Sequence, residues 1–267
     1  MRKDALAAAV FIALLAFVAI AAPIVSPYSP TEHLDIVRLR AQAPSFAHLF
    51  GTDLASRDVL SRVIYGARTS LSVALLAVIV STTLGVGYGM VAGYAGGITD
   101  SILMRALDGM IAIPRPLVLI VLLSYWREGS TALILGIGLT GWFTIARLIR
   151  AEVMAAKPRE YVAAAVALGA PRTRIVLRHI LPNVIGPAIV SATLAVATVI
   201  ALEAGLSFLG YGARTAHASW GSIILDAQGD FGGLWWIPLF PGLAVVATAL
   251  AFNVLGDGLR DLVAGRR

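Results

Sequence analysis

Apolar residues dominate this chain in blocks of about twenty, separated by short polar stretches. Blocks of that length match the roughly 30 Å hydrocarbon core of a bilayer at 1.5 Å rise per helical residue. Six spans are predicted: Ala5–Val25, Ser70–Tyr94, Ile102–Tyr125, Thr131–Ile149, Val184–Leu209 and Ile237–Leu255. The first block is longer than the apolar core of a signal peptide. With Met1-Arg2-Lys3-Asp4 before it, it reads as an uncleaved first span. Ser26-Pro27-Tyr28-Ser29-Pro30 breaks it. The polar segment that follows places Val59, Arg62, Val63 and Gly66 at helical spacing, which predicts an amphipathic helix at the membrane surface.

Several interruptions qualify the pattern. The second span ends in GVGYGMVAGYAGG, whose small residues suit close helix packing in lipid. The third carries Arg105, Asp108 and Pro114-Arg115-Pro116, and Trp126-Arg127-Glu128-Gly129 forms a turn after it. Trp235 and Trp236 stand where the sixth span meets the interface. The largest interruption is REYVAAAVALGAPRTRIVLRHILPN, Arg159 to Asn183. An Ala-rich helix from Glu160 to Leu168 is closed by Gly169. A second short helix starts at Pro171 and is ended by Pro182. Its apolar positions Val162, Ala164, Val166 and Leu168 ask for a protein partner.

Composition agrees. The 267 residues are 58% hydrophobic and 13% charged, where a soluble domain carries about a quarter charged residues. The net charge of +6 is that of Lys and Arg in cytoplasmic loops rather than of a nucleic-acid binder. Arg2, Lys3, Arg105, Arg147, Arg150, Lys157, Arg159, Arg172, Arg174, Arg178, Arg260, Arg266 and Arg267 fall on one side, and Arg38, Arg40, Arg57, Arg62, Arg68, Arg127 and Arg214 on the other. Both termini and the 159–183 stretch are therefore expected in the cytoplasm. Cysteine is absent, so disulfides, thiolate metal sites and a Cys nucleophile are excluded. His33, His48, His179 and His217 are scattered, and no metal site is expected.

Intramembrane polar residues mark candidate pathway positions. Arg115 either meets a peptide carboxylate or, with the helix broken between its two prolines, snorkels or pairs with Asp108. Glu203 either meets a substrate amine or makes a structural hydrogen bond to Ser207 or to a neighbouring span. Asp108 with Arg105 reads as an i, i+3 pair, and Asn253 either faces the pathway or joins helices. No Walker A, HExxH or GxSxG motif is present. The chain is therefore not expected to be an enzyme, and its energy must come from a partner or an ion gradient. A stand-alone secondary transporter is the competing reading, though the paired broken helices of an internal repeat are not evident.

Ala163-Ala164-Ala165, Gly169 and Leu181-Pro182 resemble the EAA loop of permease subunits of ABC importers. GTDLASRDVLSRVIYGARTSL, LEAGLSFLGYG, ASWG and PLFPGLAVVATALAFNVLGDGLRD resemble the dipeptide, oligopeptide and nickel branch of that family. The resemblance implies an all-α, six-helix type I importer permease. Its expected parts are an N-terminal span (1–25), an extracytoplasmic segment (26–68) and a permease core (69–260) with a cytoplasmic coupling loop (151–183). It implies that Glu160, Ala163, Ala164, Ala165, Gly169, Ala170, Pro171, Arg172, Arg174, Leu181 and Pro182 dock onto an ATPase. Ala163 stands where the motif has Glu, and His179 where it usually has Ile. The implied partners are two ATP-binding subunits holding ATP and Mg, a second homologous permease and an extracytoplasmic substrate-binding protein. The implied setting is the prokaryotic inner membrane, and the implied cargo is a peptide, with nickel or another small solute as the alternative.

Overall fold

A computed structural model describes residues 3–35, 37–126, 129–212 and 218–265. The expected turn at 126–129 and the expected placements of Arg2, Arg127, Arg214, His217, Arg266 and Arg267 lie wholly or partly outside the described residues. Among the described residues the regular structure is helical, apart from a single antiparallel bridge between Thr52 and Asp58. The first span is α1 (Lys3–Ile20), followed after a break by the short α2 (Ala22–Val25).

The segment before the second span departs from expectation. There is no separate surface helix and no break near residue 69. One helix, α3, runs unbroken from Val59 to Ala95. Its 37 residues span about 55 Å at 1.5 Å per residue, far more than the membrane core. Asp58 starts it by accepting from the Ser61 backbone N–H at 2.8 Å, a standard N-cap. No proline interrupts it. The face expected to lie on lipid is turned inward: Val59 and Arg62 are buried. A Cβ on Gly66 would lie 3.0 Å from Trp220. That face packs on protein because its polar members find partners there.

The third predicted span is a bent pair. Helix α4 (Gly97–Ile111) meets α5 (Arg115–Tyr125) at 77°. Pro114 and Pro116 remove two backbone donors, and proline forces the residue before it out of the helical region. The fourth is also bent. Helix α6 (Ser130–Gly141) turns by 40° into α7 (Phe143–Ala156). Among the described residues, four helices are long and apolar enough to cross a membrane, and six spans result when each bent pair counts as one.

After α7 comes α8 (Glu160–Ala167), then α9 (Arg172–Arg174), a π turn at Ile175–Ile180 and α10 (Leu181–Leu206). The expected second short helix is not closed by Pro182. Arg172–Tyr211 is one 40-residue helical run. Pro182 has no N–H to give to the Arg178 carbonyl and its ring crowds that carbonyl. The wider π turn directly before it absorbs the mismatch without stopping the helix. A second π turn, Ser207–Tyr211, ends that run, α11 (Trp220–Leu225) follows, and α12 (Trp236–Ala264) closes the fold.

Helices α3 and α7 are zipped together by glycines four apart. A Cβ on Gly85, Gly89 or Gly93 would come within 2.8 Å of Trp142, 2.5 Å of Ala146 or 2.8 Å of Arg150 backbone oxygen. This is small-residue packing of the kind expected for that stretch. A larger apolar core joins α3, α6, α10, α11 and α12. A smaller one, including Met90, Ile149, Val162, Ile175 and Val184, joins the ends of α3, α7, α8 and α10.

Candidate functional site

The 159–183 loop is built as a rigid elbow. Helix α8 ends in a full Schellman motif: Gly169 N–H donates to Val166 O at 2.9 Å and Ala170 N–H to Ala165 O at 3.1 Å. Gly169 sits at φ +73°, the left-handed conformation this cap requires. Pro171 then precedes α9 with φ −65° and ψ 149°. Val162 and Ala165 point into the smaller apolar core with Ile175 and Ile180. The elbow is thereby fixed to α7 and α10 by its inner face.

The outer face is open. Glu160, Ala163, Ala164, Arg172, Arg174, Arg178 and Pro182 are exposed. Val166 and Leu168 are 57% and 87% exposed, and Leu177 is 61% exposed. Ala170 and Leu181 are half-buried. One expectation needs correction. Val162 does not belong to the exposed apolar set. It is i+3 from Arg159 and i+3 to Ala165, so it shares the inward stripe of α8. Beside the loop lies an open groove of about 710 Å³, lined by Tyr94, Lys157, Val166, Arg172 and Val176 among others. Lys157 is anchored there by donating to Tyr94 O at 2.8 Å.

The four candidate pathway residues do not converge. Arg115 sits at the α6–α7 bend, where its Nη2 donates to Ile137 O at 2.8 Å and its Nε to Thr140 Oγ1 at 3.2 Å. A guanidinium placed against late carbonyls of a helix is well sited for the helix dipole. Asp108 pairs with Arg147 of α7, not with Arg105 or Arg115. The i, i+3 spacing places Arg105 near it, but Arg147 approaches from the neighbouring helix. Glu203 is fully buried. It accepts from Ser207 Oγ at 2.7 Å and from Ser70 Oγ of the neighbouring α3 at 2.9 Å, the structural alternative expected for it. Asn253 is exposed on α12.

Sequence reasoning missed the polar cluster at the far end from the elbow. Asp53 accepts from Arg57 Nε at 2.7 Å and from Arg62 Nη1 at 2.5 Å. Asp226 accepts from Arg57 Nη2 at 3.0 Å and forms an ion pair with Arg62, whose Nη1 lies 2.7 Å from its Oδ2. His48 Nδ1 lies 3.0 Å from Asp58 Oδ1. Trp220 Nε1 donates to Val63 O and Trp236 Nε1 to Thr52 O, both at 3.0 Å. The GTD, SRD and ASWG stretches therefore build one polar lattice, buried at Asp53, Asp58 and Arg62 and partly open at Arg57 and Asp226. Its sequence signal is present, since alternating Asp and Arg directly before a span have few uses other than mutual pairing. The partner Asp226, however, is remote in sequence.

Comparison with known proteins agrees with this architecture. Residues 85–267 match the family described as "Binding-protein-dependent transport system inner membrane component". The dipeptide transport system permease protein DppC of Bacillus subtilis is 41% identical over 264 residues, which is 98% of this chain and 82% of that protein. The oligopeptide transport system permease protein OppC of the same organism is 38% identical, over 97% of this chain and 85% of the relative. The DppC protein of Haemophilus influenzae is 36% identical over 97% and 90% respectively. The inward-facing methionine ABC transporter MetNI superposes with a TM-score of 0.59 at 18% identity, over 76% of this chain and 97% of that one. That similarity is one of fold, and it matches the expected all-α type I importer permease. This chain belongs to the inner-membrane components of binding-protein-dependent transport systems and is a multi-pass permease of the prokaryotic plasma membrane.

Proposed function

We propose that the chain is one of two membrane subunits of an ATP-driven importer of dipeptides or oligopeptides. The observation that carries the coupling role is the outer face of the elbow. Val166 and Leu168 stand exposed on a loop that also exposes Glu160, Arg172 and Arg174, on a cap whose inner face is locked into the protein. An apolar ridge with a charged rim is the composition of a protein interface. Covering it recovers roughly 25 cal/mol for each Å² of apolar surface. The occupant fitting this reading is a cytoplasmic ATP-binding subunit. Two such subunits hold the ATP and Mg, and the positive charge around the elbow supports its cytoplasmic placement.

The elbow acts as a lever in this reading. When the ATP-binding subunits close, each pushes on its ridge. The Schellman cap keeps α8 from unwinding, and the smaller apolar core passes the displacement to α7 before the loop and α10 after it. The passage itself forms between this chain and a second, homologous permease, with Asn253 as an exposed polar candidate along it and Asp108, exposed but paired with Arg147, as a second. Arg115 and Glu203, already engaged within the chain, support the spans' shape. The Asp53–Arg62–Asp226 lattice braces the opposite end, where an extracytoplasmic binding protein delivers its cargo. The relatives' names support peptides over nickel as that cargo.

The test is uptake. Proteoliposomes carrying the chain with its ATP-binding subunits, second permease and binding protein accumulate a labelled dipeptide or oligopeptide only when ATP is supplied on the cytoplasmic face. Uptake that persists without ATP and collapses with an ion gradient overturns the reading in favour of a secondary transporter.

A further inference from the structure

Helix α4 is held to the protein by polar contacts more than by an apolar face. Of its 15 residues only Asp100 and Leu107 are buried. Ile98 and Ile102 are 79% and 63% exposed. Both of its ends are backbone breaks. At one end Gly96 and Gly97 stand at φ +68° and +55°, and a Cβ on Gly97 would touch nothing within 4 Å. At the other end is the 77° corner into α5. Between these breaks Tyr88 Oη of α3 donates to Leu103 O at 2.6 Å. Arg147 of α7 pairs with Asp108. Arg150 of α7 grips both oxygens of Asp100, through Nε and Nη2, at 2.5 Å each.

Two of these three anchors come from α7, and α7 is the helix that runs into the elbow. The glycine zipper keeps α7 in fixed register on α3, because side-chain-free contacts at Gly89 and Gly93 leave no room for sliding. A bidentate Arg–carboxylate pair transmits orientation as well as position. Swinging α4 about its two breaks would uncover one fully buried apolar residue, Leu107, and the half-buried Leu103 and Met104. That small apolar contact resists a swing less than a full packed face would.

We propose that Arg147 and Arg150 are positioning residues that carry displacement of the elbow to α4, which swings as a hinged arm through its grip at Asp100 and Asp108. The inference rests on the coupling role proposed above and adds to it a route from the elbow to a broken span.

The test uses the complete reconstituted assembly. The chain is free of cysteine, so spin labels at Ile98→Cys on α4 and Leu250→Cys on α12, outside the zipped α3–α7 pair and both exposed positions, report the movement of α4. With otherwise native residues, the label separation changes between the resting and the ATP-trapped states. In the Asp100→Asn, Arg147→Gln double variant that change is lost. Peptide uptake falls on the order of tenfold, the scale of coupling residues, while binding-protein-stimulated ATP hydrolysis continues. The swapped pair Asp100→Arg with Arg150→Asp restores part of the uptake. Asp108→Asn alters an exposed pair, folds without difficulty and gives a smaller loss of the same kind. A retained distance change with normal uptake overturns the inference, leaving the coupling role intact. So does a parallel loss of hydrolysis, uptake and assembled complex, which marks a static brace. If the unmodified assembly shows no ATP-dependent uptake, the coupling role itself fails and the inference falls with it.

Discussion

Ser70 and Glu203, 133 positions apart in the chain, share a hydrogen bond of 2.9 Å in the protein interior. The same Ser70 Oγ accepts from the Trp220 backbone N–H at 3.2 Å, and the other Glu203 oxygen accepts from Ser207 at 2.7 Å. One carboxylate thus ties together α3, α10 and the start of α11. An isolated buried carboxylate is costly, and the serine donors compensate for it.

Glu203→Ala strands Ser70 and Ser207. Each orphaned buried group costs about 1–3 kcal/mol, so the variant melts well below the parent in detergent. Glu203→Gln loses less, since an amide oxygen still accepts from one serine while the amide nitrogen donates to the other. Thermal unfolding should rank parent, Gln, Ala in falling order, and an Ala variant as stable as the parent contradicts the bracing role.

The α3 glycines offer a comparison within one helix. A Cβ at Gly89 would lie 2.5 Å from Ala146 O, whereas one at Gly87 meets nothing within 4 Å. Gly89→Ala must push α7 away, at about 1–3 kcal/mol for overpacking. Gly87→Ala gains roughly 0.5–1 kcal/mol from helix propensity. Opposite shifts in melting temperature are expected, and equal shifts would argue against the zipper.

Arg62 and Asp53 are both buried. Arg62→Ala leaves Asp53 with Arg57 as its remaining cation and costs about 3–5 kcal/mol, as breaking a buried pair does. The segment 37–58 should become sensitive to protease added from the extracytoplasmic side. Protection equal to the parent's would show that the lattice does not hold that segment.

A Cβ on Gly169 would meet nothing within 4 Å, so any effect of substitution arises from its φ of +73°. Gly169→Val forces a β-branched residue into the left-handed region, at about 1–2 kcal/mol or more, and opens the cap. Membrane insertion should be unaffected while ATP-dependent uptake drops. Gly169→Asn, which tolerates that region, should retain much more activity. Equal uptake by the Val variant and the parent removes the cap from the coupling account.

The spans are legible in the sequence because apolar length in lipid is a strong physical constraint. The elbow is legible because Gly169 and Pro171 have few other conformational uses. What stays hidden depends on contacts between distant segments. Helical spacing identifies the stripe of Val59, Arg62 and Gly66 but does not say whether lipid or Trp220 covers it. Pro182 reads as a helix end because a π turn leaves no separate sequence mark. Asp108 has Arg105 at i−3, yet the partner is Arg147 on another helix. Val162 is apolar like Val166 and Leu168, and only its packing on Ile175 separates it from that exposed pair. Arg115 and Glu203 show their charge in the sequence but not the carbonyl and hydroxyls that engage them.

Cross-linking at Leu168 tests the account most directly. A single cysteine at this 87% exposed position, in a chain that otherwise has none, should join the ATP-binding subunit when the assembled transporter is treated with a short bifunctional thiol reagent and that subunit carries surface cysteines. Phe46→Cys, also fully open to solvent but on the segment before α3, should give no such product. A cross-link from residue 168 alone is the predicted result. No cross-link from 168, or equal cross-links from both positions, would contradict the placement of the elbow against the ATPase.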